Sequence, residues 1–164
     1  MPMVLKGSCR CGGVTFEVES SGPVPYQLCY CSICRKTAGG GGYAVNLLAD
    51  ARSLKIGGEA KPAIYRAGIV DEDGRCEISQ AERNFCPRCG AALWLFDPRW
   101  PDLVHPFASA IDGDLPAAPQ RTHIMLRFRA GWATPDVRPG DLTYDLYPEE
   151  SLEEWHKRHG LWLA

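Results

Sequence analysis

Seven of the eight cysteines in this 164-residue chain fall into three tight groups, and no other feature constrains the fold as strongly. They are Cys9-x-Cys11, Cys29-x-Cys31-x-x-Cys34 and Cys86-x-x-Cys89, giving two, three and two thiols in chain order. Zinc takes four ligands in a tetrahedron; a structural site is closed by protein, whereas a catalytic one keeps a position for water or substrate. Two plus two closes one site and leaves three thiols over. "NFCPRCGAALW" reads as a zinc knuckle, with Pro87 and Gly90 suiting a tight turn whose amides point at the thiolates. "GSCRCGG" supplies the second pair. On an ideal strand both side chains of C-x-C share one face about 6.5 to 7 Å apart, and turning at the neighbouring glycines shortens this to a chelating distance. Cys9, Cys11, Cys86 and Cys89 then clip shut a loop of more than seventy residues.

Cys29, Cys31 and Cys34 have the composition of an open site, with the fourth position left for a substrate. Three thiolates make the metal electron-rich and a weaker Lewis acid than zinc held by neutral histidines. An incoming thiol suits it better than water, because coordination lowers the thiol pKa below about 8.5 and leaves a nucleophilic thiolate. The competing reading is a second closed structural site, with Cys76 or another residue as fourth ligand. Cys76 alternates with Ile78 in "CEIS", the pattern of an ordinary buried free cysteine.

Composition excludes several classes. Hydrophobic residues at 45% and charged residues at 23% fit a folded globular chain, and 164 residues suit one domain. A formal charge of -2, with no basic block longer than "HKRH", argues against nucleic acid as a partner. No stretch of about 18 apolar residues suggests a membrane span, and no signal segment is evident at the N-terminus. A cytoplasmic location is expected, where thiols stay reduced and metal binding explains the cysteines better than disulfides.

Short alternating segments punctuated by seventeen glycines and thirteen prolines predict an all-β chain of stacked antiparallel sheets. "GVTFEVES" puts Val14, Phe16 and Val18 on one face. Further strands are expected at "YAVNLL" (43–48), "AIYRA" (63–67), "CEISQ" (76–80), "ALWLF" (92–96), "PFASAI" (106–111) and "HIMLRFR" (123–129). "GIVDEDGR" (68–75) reads as a hairpin loop and "DGDLPAAPQ" (112–120) as a surface connection. The one helix expected is C-terminal: Ser151 with Glu154 makes a capping box, acidic residues lead, basic residues follow and Gly160 stops it. Leu152, Trp155 and Trp162 would dock it.

With "GSCRCGGVTFEV", "CYCSICRKTAGG", "RNFCPRCGAALW" and "THIMLRFRAGW" in that order, the chain resembles the glutathione-dependent formaldehyde-activating enzyme family, which includes centromere protein V. The match spans most of a core at 5–132, leaving an extension at 133–164 within one zinc-binding domain (1–164). The resemblance implies a β-tent fold and two Zn2+ per chain. Cys9, Cys11, Cys86 and Cys89 would hold a structural zinc, and Cys29, Cys31 and Cys34 a catalytic one. The implied reaction condenses glutathione with formaldehyde to S-(hydroxymethyl)glutathione, a carbon-sulfur lyase reaction in reverse. Tyr30 departs from the smaller polar residue or histidine expected between the first two central cysteines.

Other candidates carry blander readings. His105 and His123 are candidate proton donors but are more often structural. Arg35 and Lys36, just after Cys34, are read as solvated surface charge although they could attract a glutathione carboxylate. "GGGG" (39–42) lacks the lysine and hydroxyl of a phosphate loop and reads as a turn or a close backbone approach. Against the enzyme stands a zinc-stabilised protein-binding module with two structural sites and no catalysis.

Overall fold

The computed structural model describes residues 1–164 and consists mainly of short strands. The first six are β1 (Met3–Ser8), β2 (Thr15–Ser20), β3 (Gln27–Cys29), β4 (Ala44–Val45), β5 (Ala49–Asp50) and β6 (Lys55–Gly57). Next come β7 (Ala63–Tyr65), β8 (Gly68–Val70), β9 (Cys76–Ile78), β10 (Glu82–Phe85) and β11 (Ala92–Phe96). The last are β12 (Leu103–Pro106), β13 (Thr122–Ile124) and β14 (Leu142–Thr143). Two seven-residue helices, α1 (Ser32–Ala38) and α2 (Leu152–Arg158), complete the regular structure.

The strands form sheets in the orders β1-β2-β6, β5-β12-β11-β10-β7, β14-β13-β3-β4 and β8-β9. All pairings are antiparallel except those of β13 with β3 and with β14, which are parallel. The expected alternation in β2 holds: Phe16 and Val18 are buried beside Val14. They pack with Leu5, Leu47, Leu93 and Val104 as the main core, where Phe16 meets Trp94 edge-on at 5.2 Å between ring centroids. Cys9 and Cys86 belong to this core, so the outer cysteine site is built into its edge. A smaller apolar cluster of Ala44, Phe107 and Ile124 surrounds Cys29 and Cys34.

Three expectations are corrected. Residues 106–111 are not a strand: β12 ends at Pro106 and Ala108–Ala110 form a 3-10 turn. Buried Phe107 anchors the core at that turn, and its apolar character looks like strand in the sequence. Residues 123–129 are strand only to Ile124, because Met125 adopts the left-handed conformation at φ 59 and the chain turns into a 3-10 segment at Leu126–Phe128. Residues 43–48 contribute only the two-residue β4. α1 was not expected, since seven residues give the helical period too little room.

The C-terminal helix has the capping box read from its sequence, with the Glu154 amide donating to Ser151 Oγ at 3.2 Å and the Ser151 amide to Glu154 Oε2 at 2.8 Å. Its docking residue is Trp155, wholly buried and stacked on Tyr26 with centroids 3.7 Å apart. No helix is long and apolar enough to cross a membrane.

Candidate metal centre

Each sulfur group gathers where strand gives way to turn. In the connection between β1 and β2, the Cys9 amide donates to Val14 O at 2.9 Å and Gly12 N to Cys9 O at 3.0 Å, which folds Cys9 and Cys11 back on one another. After β10, Gly90 N donates to Cys86 O at 2.8 Å and Cys86 N to Ala91 O at 2.9 Å, closing the knuckle. The four sulfurs lie within 4.8 Å of one another, with Cys9 to Cys11 at 3.6 Å and Cys11 to Cys86 at 3.8 Å. Zn–S bonds of about 2.3 Å in a regular tetrahedron place sulfurs about 3.8 Å apart. The donor set therefore fits a tetrahedral thiolate metal. The backbone amides of Ala91 and Cys11 bring the Cys89 thiol down to about 6, so it ionises readily.

The second group is Cys29, Cys31 and Cys34, also within 4.8 Å of one another. β3 delivers Cys29, held in register between Ala44 of β4 and Ile124 of β13. Cys31 is the N-cap of α1, and its sulfur accepts from the Cys34 amide at 3.2 Å. The start of the helix thus fixes the Cys31-x-x-Cys34 spacing as a chelate. Cys31 is held well below the ordinary thiol value, first by the Cys29 and Cys34 side chains and then by the amides of Cys34 and Ile33. Cys29 is pushed up in the same coupled set, first by Cys31 and Cys34.

No fourth protein ligand joins these three. Cys76 lies exposed on β9, outside both groups, and so is neither the buried cysteine expected nor a fourth ligand. Its neighbour Ile78 is exposed too, because the β8-β9 hairpin is a two-stranded sheet of its own.

Behind the triplet runs a buried polar chain. Tyr30 is buried, with its hydroxyl 3.1 Å from His123 Nδ1. His123 Nε2 lies 3.5 Å from Asp141 Oδ2 without a hydrogen bond, and Asp141 accepts from Arg121 Nε at 3.0 Å. Burial alone would raise Asp141, but the amides of Arg121 and Arg138 and the Arg121 guanidinium overcome it and hold the carboxyl at about 2. His123 is lowered, chiefly by desolvation, and is neutral at pH 7. Wholly buried against Tyr30, it cannot meet a substrate; His105, at 3.0 Å from Leu47 O, is likewise structural. Asp141→Asn is expected to lower stability by about 3 kcal/mol, the scale for one partner lost from a buried charge pair. A urea titration at pH 7 measures it. The folded pKa lies below the unfolded value of about 3.9, so the stabilisation is complete above about pH 4 and is lost as pH falls toward 2, where variant and wild type converge.

Two residues near the triplet escaped the sequence reading. The Arg83 guanidinium on β10 lies 3.7 and 3.8 Å from Cys34 Sγ and 3.3 Å from Thr37 Oγ1. Tyr147, largely exposed, has its phenol raised to about 12, first by local desolvation and then by the charges of Cys29, Cys31 and Cys34. The only signal for Arg83 was its place three residues before Cys86; Tyr147, in the C-terminal extension, had none.

The model of the glutathione-dependent formaldehyde-activating enzyme family matches residues 4–127, a span that contains both cysteine groups. The chain belongs to that family. A relative from Halomonas elongata is 55% identical over 159 residues, covering 97% of this chain and 98% of its own, and carries the provisional name of glutathione-dependent formaldehyde-activating enzyme. A crystal structure of a Rhodobacter sphaeroides protein shares the fold at TM-score 0.51 and 21% identity, covering 85% of this chain and 99% of that one. Within this family frame, the two cysteine groups are sites that could hold metal ions.

Proposed function

We propose that this family member is a zinc-dependent enzyme of carbon-sulfur lyase type that joins glutathione to formaldehyde as S-(hydroxymethyl)glutathione. The observation that carries the reading is the contrast between four close-set sulfurs and three. The set of four needs nothing further; the set of three leaves one tetrahedral position for a sulfur from outside. Cys9, Cys11, Cys86 and Cys89 would hold the structural zinc, and Cys29, Cys31 and Cys34 the catalytic one. When bound, zinc supplies a Lewis acid that lowers the pKa of a thiol entering its fourth position.

The chain's own residues do the rest. Arg83 places positive charge against Cys34 and offsets the excess negative charge of three thiolates and an incoming fourth. Tyr147 keeps its proton at neutral pH and lies close enough to the triplet to feel all three charges. In the reaction a sulfur lone pair forms the bond to the formaldehyde carbon and the carbonyl π pair moves to oxygen. The proton released by the thiol balances the resulting alkoxide, so no oxidant is required. The small-molecule partners are glutathione and formaldehyde, and a cytoplasmic setting keeps the thiols reduced.

Cobalt substitution tests the reading, because sulfur-to-cobalt bands report thiolate number. Glutathione should add about one thiolate per chain, and 13C-formaldehyde should then give the hydroxymethyl signal in NMR. A spectrum indifferent to glutathione would reject it. Arg83→Met is expected to weaken thiol binding about tenfold, or about 1.4 kcal/mol, with the melting temperature nearly unchanged. The second reading, a binding module without catalysis, draws on exposed Ile69, Val70 and Ile78 of the β8-β9 hairpin; any cobalt response to small thiols counts against it.

A further inference from the structure

A groove of about 760 Å3 opens at the C-terminal end of α1, and three of its lining residues are Arg10, Arg35 and Lys36. That volume falls within the range for small-molecule sites. Arg35 and Lys36 were expected to be ordinary solvated charge. Yet none of these three cations pairs with a carboxylate, whereas Arg52, Arg66, Arg88, Arg99, Arg121, Arg138 and Arg158 all do. Arg35 Nε is moreover buried without a hydrogen-bond partner. A buried donor left unpaired is costly, which sets Arg35 apart from a freely solvated arginine. The only carboxylate on the groove is Asp112, oriented by Ser8 Oγ at 2.7 Å.

The groove borders the three-cysteine site. Thr37 lines it, and the Thr37 hydroxyl and Cys34 Sγ touch the same Arg83 nitrogen. Ala92, also on the groove wall, packs against the cluster containing Cys29 and Cys34. An extended residue spans about 3.5 Å, so the charged ends of a cysteine-centred peptide stand one to two such lengths from its sulfur.

We infer that the groove binds the peptide arms of the thiol, with Arg35 and Lys36 taking a carboxylate and Asp112 an ammonium group. This rests on the triplet being the thiol site. Guanidinium and carboxylate form paired, charge-assisted hydrogen bonds, and the mixed charge of the lining selects a zwitterionic peptide end over a simple anion.

The test separates the peptide arms from the sulfur. S-methylglutathione, which cannot provide a thiolate, is titrated calorimetrically into the zinc-loaded chain; 2-mercaptoethanol, which has no arms, is titrated into the cobalt form. S-methylglutathione should bind the wild type, bind at least tenfold more weakly to Arg35→Met and several-fold more weakly to Lys36→Met, and lose affinity when its α-amine is acetylated. Both variants should keep the 2-mercaptoethanol response. Absence of S-methylglutathione binding to the wild type, or equal affinity in wild type and both variants, overturns the assignment. So does loss of both ligands together in Lys36→Met, an exposed position, since that would mark damage to the metal site. Inorganic phosphate competing as well as the peptide would overturn it in favour of a simple anion site. If 2-mercaptoethanol gives no cobalt response while S-methylglutathione binds through Arg35, the groove stands and the open-site reading falls.

Discussion

Cys31→Ser should empty the three-cysteine site and leave the outer site loaded. Metal per chain, measured by mass spectrometry of the dialysed protein, should halve, and the cobalt response to glutathione should fall at least a hundredfold. The fold should survive for a specific reason. Cys31 caps α1 by accepting from the Cys34 amide, and serine is among the best residues for that role. β3 meanwhile keeps its register with β4 and β13 through backbone bonds that need no sulfur. Far-ultraviolet circular dichroism should therefore match the wild type. Unfolding would instead make the triplet a structural site and give the lead to the binding-module reading; undiminished glutathione binding would remove the triplet from the chemistry.

Cys86→Ser should do the opposite and destroy the fold. Cys86 is wholly buried in the main core, and its sulfur lies 3.8 Å from that of Cys11, 75 positions earlier. Losing this closure frees a long loop and leaves three of the four sulfurs that could hold an ion. Structural zinc in small domains contributes about 10–16 kcal/mol of apparent binding free energy, against a typical total stability of about 5–15 kcal/mol. The variant should show no cooperative melt, or one lowered by more than about 20 °C, and a chelator should reproduce this in the wild type. A melting temperature within a few degrees of the wild type would show that the outer site contributes little to the fold.

Local patterns carried to the structure where the physics was local. The alternation of β2, the capping box of α2 and the tight turn around Pro87 each depend on residues a few positions apart, and each is present in the structure. Alternation failed at Cys76 and Ile78 because it shows that two side chains share a face, not that another layer covers that face. It failed at 106–111 because buried Phe107 satisfies a turn as well as a strand. Arg35 and Lys36 share a groove with Arg10 and Asp112, a grouping that their neighbours in sequence do not show.

The clusters of two, three and two cysteines were determined by the sequence alone, because chelation depends on residue type and short spacing; that the outer pairs gather as four and that Cys76 stays outside the central three was decided by the fold. What surrounds those sulfurs was decided only by the tertiary structure. Arg83 meets Cys34 across 49 positions and Tyr30 meets His123 across 93, contacts set by how distant strands pair. Register between such strands comes from the burial of whole faces at once, which no short stretch of sequence encodes.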